Sequence, residues 1–282
     1  MAISASDVKK LREMTGVGPL ECKKALEQFD GDFAAAEKYL KEKGLAAVEK
    51  RADRATSEGR IFVKKEGNDV ALAEISSETD FVARNPDFIA LGNNIVALVL
   101  EKGYTETNSE LSALVSDLAV KIGENMSLKR IKLVKAADNE FVTQYMHGEG
   151  AIGVVVKLSS PKADAVHTAE AKEFAHNLAL HIAAFNPLAL EKSKLDPAFV
   201  KEQKDIFRGQ MDNDENMKSK PEAAREKILE GKINKYLSEI CLMDQSYVKD
   251  DKLTVAQAVA ECGKKLGADI SINDYVYFKV GQ

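Results

Sequence analysis

One short segment of the sequence places acidic side chains beside an aromatic ring. Glu78, Thr79, Asp80 and Phe81 follow Val70–Ile75, where apolar and polar residues alternate with the period of a half-buried strand. The alternation ends there, so we expect a loop at the end of a strand. A carboxylate can act on a cation, and a ring can insert into another protein. From this segment alone, Phe81 either packs into its own core or binds a partner, and both interpretations stay open.

The remaining residues with chemical potential form no catalytic pattern. His176 and His181 are five residues apart in a predicted helix, which places them on different faces, and no Glu completes a zinc signature. The sequence has neither a Gly-x-x-x-x-Gly-Lys-Ser/Thr loop for nucleotides nor a Gly-x-Ser-x-Gly turn for a nucleophile. We therefore expect a protein that is not an enzyme, with no metal, no cofactor and no nucleotide bound by this chain itself.

Composition restricts the partners and the compartment. The net charge of -5 gives no positive excess to neutralise phosphates, so we expect no direct contact with nucleic acid. No apolar run approaches the ~18 residues of a membrane span, and Met1–Asp7 lacks the order of a signal peptide. The three cysteines include no Cys-x-x-Cys pair, which is typical of a reduced protein. These features favour a cytoplasmic protein without membrane contact.

Residues 1–54 predict a helical domain with a linker. Ser4 or Ser6 caps the first helix, Pro19 opens the second, and the third is expected to run from Phe33 to Lys43 and to stop at Gly44. Apolar positions at helical spacing give the predicted buried side of the first two helices: Val8, Leu11, Met14, Leu20, Cys22, Ala25, Leu26 and Phe29.

Residues 55–140 and 141–282 predict two related core subdomains of an α+β fold. Each begins with a hairpin, turning at 66–69 and at 148–150, and continues into a helix, so we expect antiparallel sheets. The two registers are offset by 83 residues through the hairpins. We expect the offset to become 86 in the helices, where Phe174 aligns with Phe88. The second copy has no Asp-Phe pair after its hairpin.

An antiparallel coiled-coil arm is predicted at about residues 196–243, inserted in the second subdomain. Its two helices begin at Pro197 and Pro221, and two ordinary core helices are the alternative. The second helix shows a heptad spacing of apolar residues at Leu229, Ile233, Tyr236, Ile240 and Met243. A capping box at Thr254–Gln257 predicts a last helix, and Tyr275–Val280 a closing strand.

Four segments carry the most specific signal: Leu11–Leu26, Glu78–Ala83, Ile122–Asn125 and Ala179–Ala183. In these segments and in their order, the sequence closely resembles the bacterial translation elongation factor Ts family, and the likeness spans nearly the whole chain. The resemblance implies a guanine nucleotide exchange factor that promotes GDP release from translation elongation factor Tu, a GTPase, during polypeptide elongation. Such a factor binds the nucleotide-free state and disturbs its magnesium site. The implied fold has a ubiquitin-associated-like N-terminal domain, a two-subdomain core and a coiled-coil arm.

The resemblance also implies roles for individual residues. Ser76 departs from the Asn common in the family, and the sequence ends at Gln282 without a further helix. A ubiquitin- or ribosome-associated adaptor, in which the helical domain merely docks, is the rival function. The implied partner-binding residues are Arg12 and Lys23 on the GTPase domain, Thr79, Asp80, Phe81 and Val82 beside its magnesium ion, Ile122 and Gly123 in support, and His181 on the partner surface of the core.

Overall fold

The computed structural model describes residues 3–218 and 220–282. Residues 1 and 2, where the predicted helical domain begins and where a signal peptide was not expected, lie outside the described part. The chain divides into two compact units. One contains the described residues up to Lys135 with Met146–Gly153 and Phe278–Gln282, and the other contains Ala136–Tyr145 and Val154–Tyr277. The three boundaries predicted from the sequence stay a prediction.

Three helices open the chain, as predicted: α1 (Ala5–Thr15), α2 (Pro19–Gln28) and α3 (Phe33–Glu49). Ser4 caps α1 in a capping box with Asp7. Two of the apolar positions expected inside are exposed, Met14 by 46% and Leu20 by 63%, so those two assignments are wrong. The core of these three helices consists of Leu11, Cys22, Ala25, Leu26, Ala36 and Leu40.

Helix α3 does not stop at Gly44 as expected but continues through it to Glu49. A Cβ atom at Gly44 would lie 2.3 Å from Cγ1 of Val120, which belongs to a later helix of the same unit. Glycine costs about 1 kcal/mol in a helix interior, and here it allows two helices to approach closely. The glycine therefore marks a packing site, and Val48 beyond it packs against the next core.

The first sheet has the strand order β1-β2-β3 and is antiparallel. Its strands are β1 (Glu58–Glu66), β2 (Asp69–Ser77) and β3 (Met126–Val134), joined by α4 (Asp80–Ala83), α5 (Pro86–Lys102) and α6 (Ser109–Ile122). The pairing of Glu66 with Asp69 leaves Gly67 and Asn68 as a two-residue turn. Helices α5 and α6 pack on the sheet around a core that includes Ile75, Phe88, Ile95 and Leu111.

A second three-stranded sheet has the order β4-β5-β8. It consists of β4 (Glu140–His147), β5 (Ile152–Ser159) and β8 (Ser271–Lys279), and the sequence did not indicate the small antiparallel hairpin β6 (Ser246–Tyr247) and β7 (Asp250–Thr254). The helices α7 (Ala163–Val166) and α8 (Ala169–Phe185) follow β5. Both sheets therefore place a third strand beside the second strand of a hairpin, which confirms the predicted relation between them.

The repeat keeps one offset throughout. Helix α7 begins 83 residues after α4 (163 − 80), and α8 begins 83 residues after α5 (169 − 86). The expected change to 86 is wrong, because Phe174 corresponds to Leu91 and not to Phe88. The capping residues Asn85 and Thr168 fix the starts of the helices, whereas the two Phe residues matched by coincidence.

The predicted arm consists of α9 (Pro197–Asp212), α10 (Glu215–Lys218) and α11 (Glu222–Ile240). Ion pairs join Arg208 to Glu226 at 3.0 Å and Arg225 to Asp212, a pattern that fits antiparallel helices. Leu237, absent from the predicted heptad, is buried, and Met243 lies beyond the helix. The buried side chains of the arm are Met211, Leu229, Ile233 and Leu237.

The last helix, α12 (Val255–Leu266), has the predicted capping box between Thr254 and Gln257. The closing strand begins at Ser271, four residues before the expected start. Within the described ranges, no helix has both the length and the apolar character needed to cross a membrane. The architecture is thus α+β, with helices packed on small antiparallel sheets.

Candidate functional site

The Asp80–Phe81 segment forms a single helical turn and not an irregular loop. We call residues 79–83 the wedge turn. Thr79 caps it with extended backbone angles, φ −125° and ψ 155°, and its hydroxyl oxygen accepts from the backbone N–H of Val82 at 3.4 Å. The backbone N–H of Ala83 donates to the carbonyl of Thr79 at 3.4 Å. The end of β2 therefore passes directly into a capped turn.

Phe81 points away from the protein, since 80% of its surface is exposed. It is the most exposed of the large apolar side chains among the described residues. The interpretation in which its ring packs at home is wrong. Val82 has the opposite fate: it is 5% exposed and belongs to the core beneath the turn. Val82 was named as a partner contact, but its side chain anchors the turn instead.

Asp80 lies beside the ring with its carboxylate accessible. Its side chain is 46% exposed and forms an ion pair of 3.4 Å with Arg84, one turn further along the chain. Exposed pairs of this spacing contribute about 0.3–0.5 kcal/mol, so the carboxylate is easily released. The wedge turn thus presents a carboxylate and an apolar ring to the outside.

Two residues after α6 hold the base of the wedge turn. The carboxylate of Glu124 accepts from Thr79 twice, from the backbone N–H at 3.2 Å and from the hydroxyl at 3.0 Å. In return, the backbone N–H of Asn125 donates to the carboxylate of Glu78 at 2.6 Å. That bond lowers the pKa of Glu78, with a smaller contribution from the guanidinium of Arg54, against the effect of desolvation. The carboxylate of Glu78 is thereby kept charged.

Ile122 and Gly123 shape the chain that leads to these two residues. Ile122 is half-buried and packs against the core of the first sheet. Gly123 ends α6 with φ 86°, and its N–H donates to the carbonyl of Ala119 at 2.9 Å. A side chain there would have room, but the left-handed backbone would be strained. Gly123 therefore sets the direction in which Glu124 leaves the helix.

The helical domain belongs to the same unit as the wedge turn and is fixed to α6. Lys41 forms an ion pair with Asp117 at 3.2 Å, and a Cβ at Gly16 would lie 3.1 Å from the side chain of Lys121. Arg12 and Lys23 are exposed on α1 and α2. The exposed Leu20 adjoins them in sequence, and sequence reasoning missed it because helical spacing assigned it to the core.

His181 does not lie on a surface, contrary to what the family resemblance implied. It is fully buried in α8, and its Nδ1 accepts from the backbone N–H of Val248 at 3.2 Å. Nε2 therefore carries the proton and donates to Oε1 of Gln245 at 2.9 Å, while the Gln245 amide donates to the carbonyl of Glu239. Phe185, which stacks on the imidazole at 4.7 Å, is half exposed. His181 supports this exposed ring from behind.

We expect the stability of the free protein to fall on acidification through His181. Burial lowers the pKa of this imidazole below its ordinary value, so the unfolded chain binds a proton that the folded chain rejects. The stabilising effect is complete above about pH 6.5 and is lost as the pH falls towards the folded-state pKa, by at most ~1.4 kcal/mol per pH unit. The measurement is the melting temperature between pH 7.5 and 5 for the wild type and His181→Gln.

The exposed His176 on the same helix supplies the matched control for this pH prediction. His176→Gln should keep the acid dependence of the wild type, whereas His181→Gln should flatten it. If both variants lose stability with the slope of the wild type, the buried imidazole does not control this transition.

The described residues contain no group of three or more His, Cys, Asp or Glu side chains that could hold a metal ion. The free cysteines Cys22, Cys241 and Cys262 are all buried. Burial raises the pKa of Cys241 and Cys262, so these two thiols stay protonated. The wedge turn and its supports therefore offer binding groups rather than a reactive centre.

Comparison with known proteins gives a consistent result. The family model described as Elongation factor TS matches residues 78–282. Elongation factor Ts of Treponema denticola is 47% identical over 281 residues, covering 100% of this chain and 99% of its own length. The corresponding protein of Clostridium acetobutylicum is 42% identical, covering 99% and 93%. That of Borreliella burgdorferi is 40% identical, covering 99% of both.

Proposed function

This chain belongs to the elongation factor Ts family, and we propose that it promotes GDP release from elongation factor Tu during polypeptide elongation. Membership in this family implies a nucleotide exchange factor with that GTPase as its partner. The observation that best supports the proposal is the exposed ring of Phe81, carried by a turn that is anchored on its other side. The proposed place of action is the cytoplasm, and binding rather than chemical catalysis carries out the task.

The proposed mechanism is differential binding. A factor that prefers the nucleotide-free partner must weaken nucleotide binding by the same factor, because the two equilibria are linked. Burying one Phe ring contributes about 1.5–3 kcal/mol. Shifting an equilibrium from 1:99 to 99:1 needs about 5.5 kcal/mol. Phe81 alone is therefore insufficient, and other contacts, with Arg12 and Lys23 among the candidates, must supply the difference.

Asp80 is proposed to disturb the magnesium site of the partner by its charge and position. Its carboxylate is released from Arg84 at little cost, as shown by the exposure of both side chains. A carboxylate placed near a bound Mg²⁺ competes with its ligands without having to remove the ion. Thr79 acts in this proposal by holding the turn, and Val82 by anchoring it.

The rival is an adaptor whose helical domain docks on a protein without affecting any nucleotide. The two functions differ in one measurement: the rate at which labelled GDP leaves elongation factor Tu, with excess unlabelled GDP, as this chain is titrated. We expect the rate to rise with concentration and to saturate. A docking adaptor would bind and leave the rate unchanged, which would overturn the proposal.

The arm is expected to be dispensable for this exchange. Its apolar residues face inwards, and α9 and α11 hold each other through ion pairs rather than through the rest of the unit. Replacing residues 197–240 with a short Gly/Ser linker should leave the chain folded and the saturated GDP release within about twofold of the wild type. A folded deletion that loses most of its exchange activity would show that the arm contacts the partner.

A further inference from the structure

Glu124 has a role that its position in a recognisable motif did not reveal. Its carboxylate receives both donors of Thr79, the backbone N–H and the hydroxyl, at 3.2 and 3.0 Å. Because the hydroxyl proton points to Glu124, the oxygen lone pairs face the N–H of Val82 and cap the turn. The orientation of Thr79, the residue directly before Asp80, is therefore set by a side chain 45 positions away.

A reciprocal bond strengthens this arrangement. The backbone N–H of Asn125 donates to Glu78, so the pairs 78–125 and 79–124 bind each other in opposite directions. Asn125 also donates its side-chain amide to the carbonyls of Ala52 and Arg54 at 3.2 and 2.9 Å. The wedge turn is thus fixed to a segment that is itself bonded on both sides.

The second copy of the repeat supplies an internal comparison. At the position of Thr79 it has Lys162 (162 − 79 is 83), which gives its short helix no side-chain cap. At the position of Phe81 it has Asp164 (164 − 81 is 83). The copy without an exposed ring therefore also lacks the capping threonine that would bond to a carboxylate like Glu124. The clamp accompanies the ring and is not a general requirement of the fold.

We propose that Glu124 is a positioning residue for nucleotide exchange: it fixes Thr79 and thereby the direction in which Phe81 and Asp80 enter the partner. This rests on the proposed function, and Glu124 itself touches no partner atom in this account. A loosened turn lets the ring sample several directions, of which one is productive. The productive fraction falls, and the saturated rate of GDP release falls with it.

The first test needs no partner. The chain contains no tryptophan, so Phe81→Trp introduces a single fluorescent reporter at the tip of the wedge turn. Adding Glu124→Ala should increase the fast component of its time-resolved anisotropy decay. Glu110→Ala is the matched control, because Glu110 also accepts two side-chain bonds, from Lys102 and Tyr104, at the far end of α6. An unchanged decay in the Glu124 variant would overturn the inference, whether or not the proposed function holds.

The second test measures exchange. We expect Glu124→Ala to lower the saturated GDP release by about threefold to tenfold, the range of one or two lost hydrogen bonds, with Glu124→Gln in between. Thr79→Val should cause a similar loss, and the double variant no more than either one, because both remove the same bond. Fully additive losses, or an unchanged saturated rate, would contradict positioning. Wild-type chain that fails to release GDP would instead overturn the proposed function.

Discussion

Phe81→Ala is expected to reduce the saturated rate of GDP release from elongation factor Tu by about tenfold to a hundredfold. This range corresponds to the ~1.5–3 kcal/mol that burying the ring contributes, if that burial occurs in the nucleotide-free complex alone. The free protein should lose little stability, far less than the ~3–5 kcal/mol of a core Phe, because the ring is 80% exposed. The three measurements are thermal unfolding, affinity for nucleotide-free partner, and GDP release at saturation.

The pattern of the three results matters more than any one of them. Affinity should fall less than release, since the remaining contacts are spread over the chain. Ile206→Ala is the matched control, because Ile206 is an exposed apolar side chain on the arm and takes no part in the proposed contact. A large fall in melting temperature with unchanged saturated release would mean that Phe81 serves the fold and not the partner.

Elements with strong local signals could be predicted from the sequence. The bounds of α6 at Ser109–Ile122 and of β3 at Met126–Val134 agree with the prediction. A glycine that ends a helix in the left-handed conformation, as at Gly123, acts through its own backbone and needs no distant partner. The same is true of the capping boxes that begin α1 and α12. Such signals are local, so one sequence is sufficient to find them.

Features that depend on distant contacts could not be predicted. Gly44 carries the sequence signal of a helix end, and its packing against Val120 overrides that signal. His181 was assigned to a surface, but Gln245 and Val248, more than 60 positions away, satisfy it in the interior. The exposure of Phe81 follows from which neighbour in the turn is buried, and alternation in the sequence does not determine that.

Removing the helical domain is expected to weaken binding to nucleotide-free partner by about tenfold to a hundredfold and to change saturated release much less. Arg12, Lys23 and the exposed Leu20 all lie on this domain, whereas the wedge turn is held by Glu124 and by Asn125. The truncation should begin at residue 50, because Asn125 needs the carbonyls of Ala52 and Arg54. Loss of the Gly44 and Val48 contacts should lower the melting temperature moderately.

Point variants separate docking from stability in this prediction. Arg12→Ala with Lys23→Ala should reproduce part of the loss in affinity, and the difference from wild type should shrink as ionic strength screens the charges. Lys9→Ala is the control for Lys23, since each forms an exposed ion pair with a Glu four residues later, at 3.8 and 3.7 Å. If the truncated chain keeps wild-type affinity while the wedge turn still drives release, the helical domain has no docking role, and the core must supply the binding energy that Phe81 lacks.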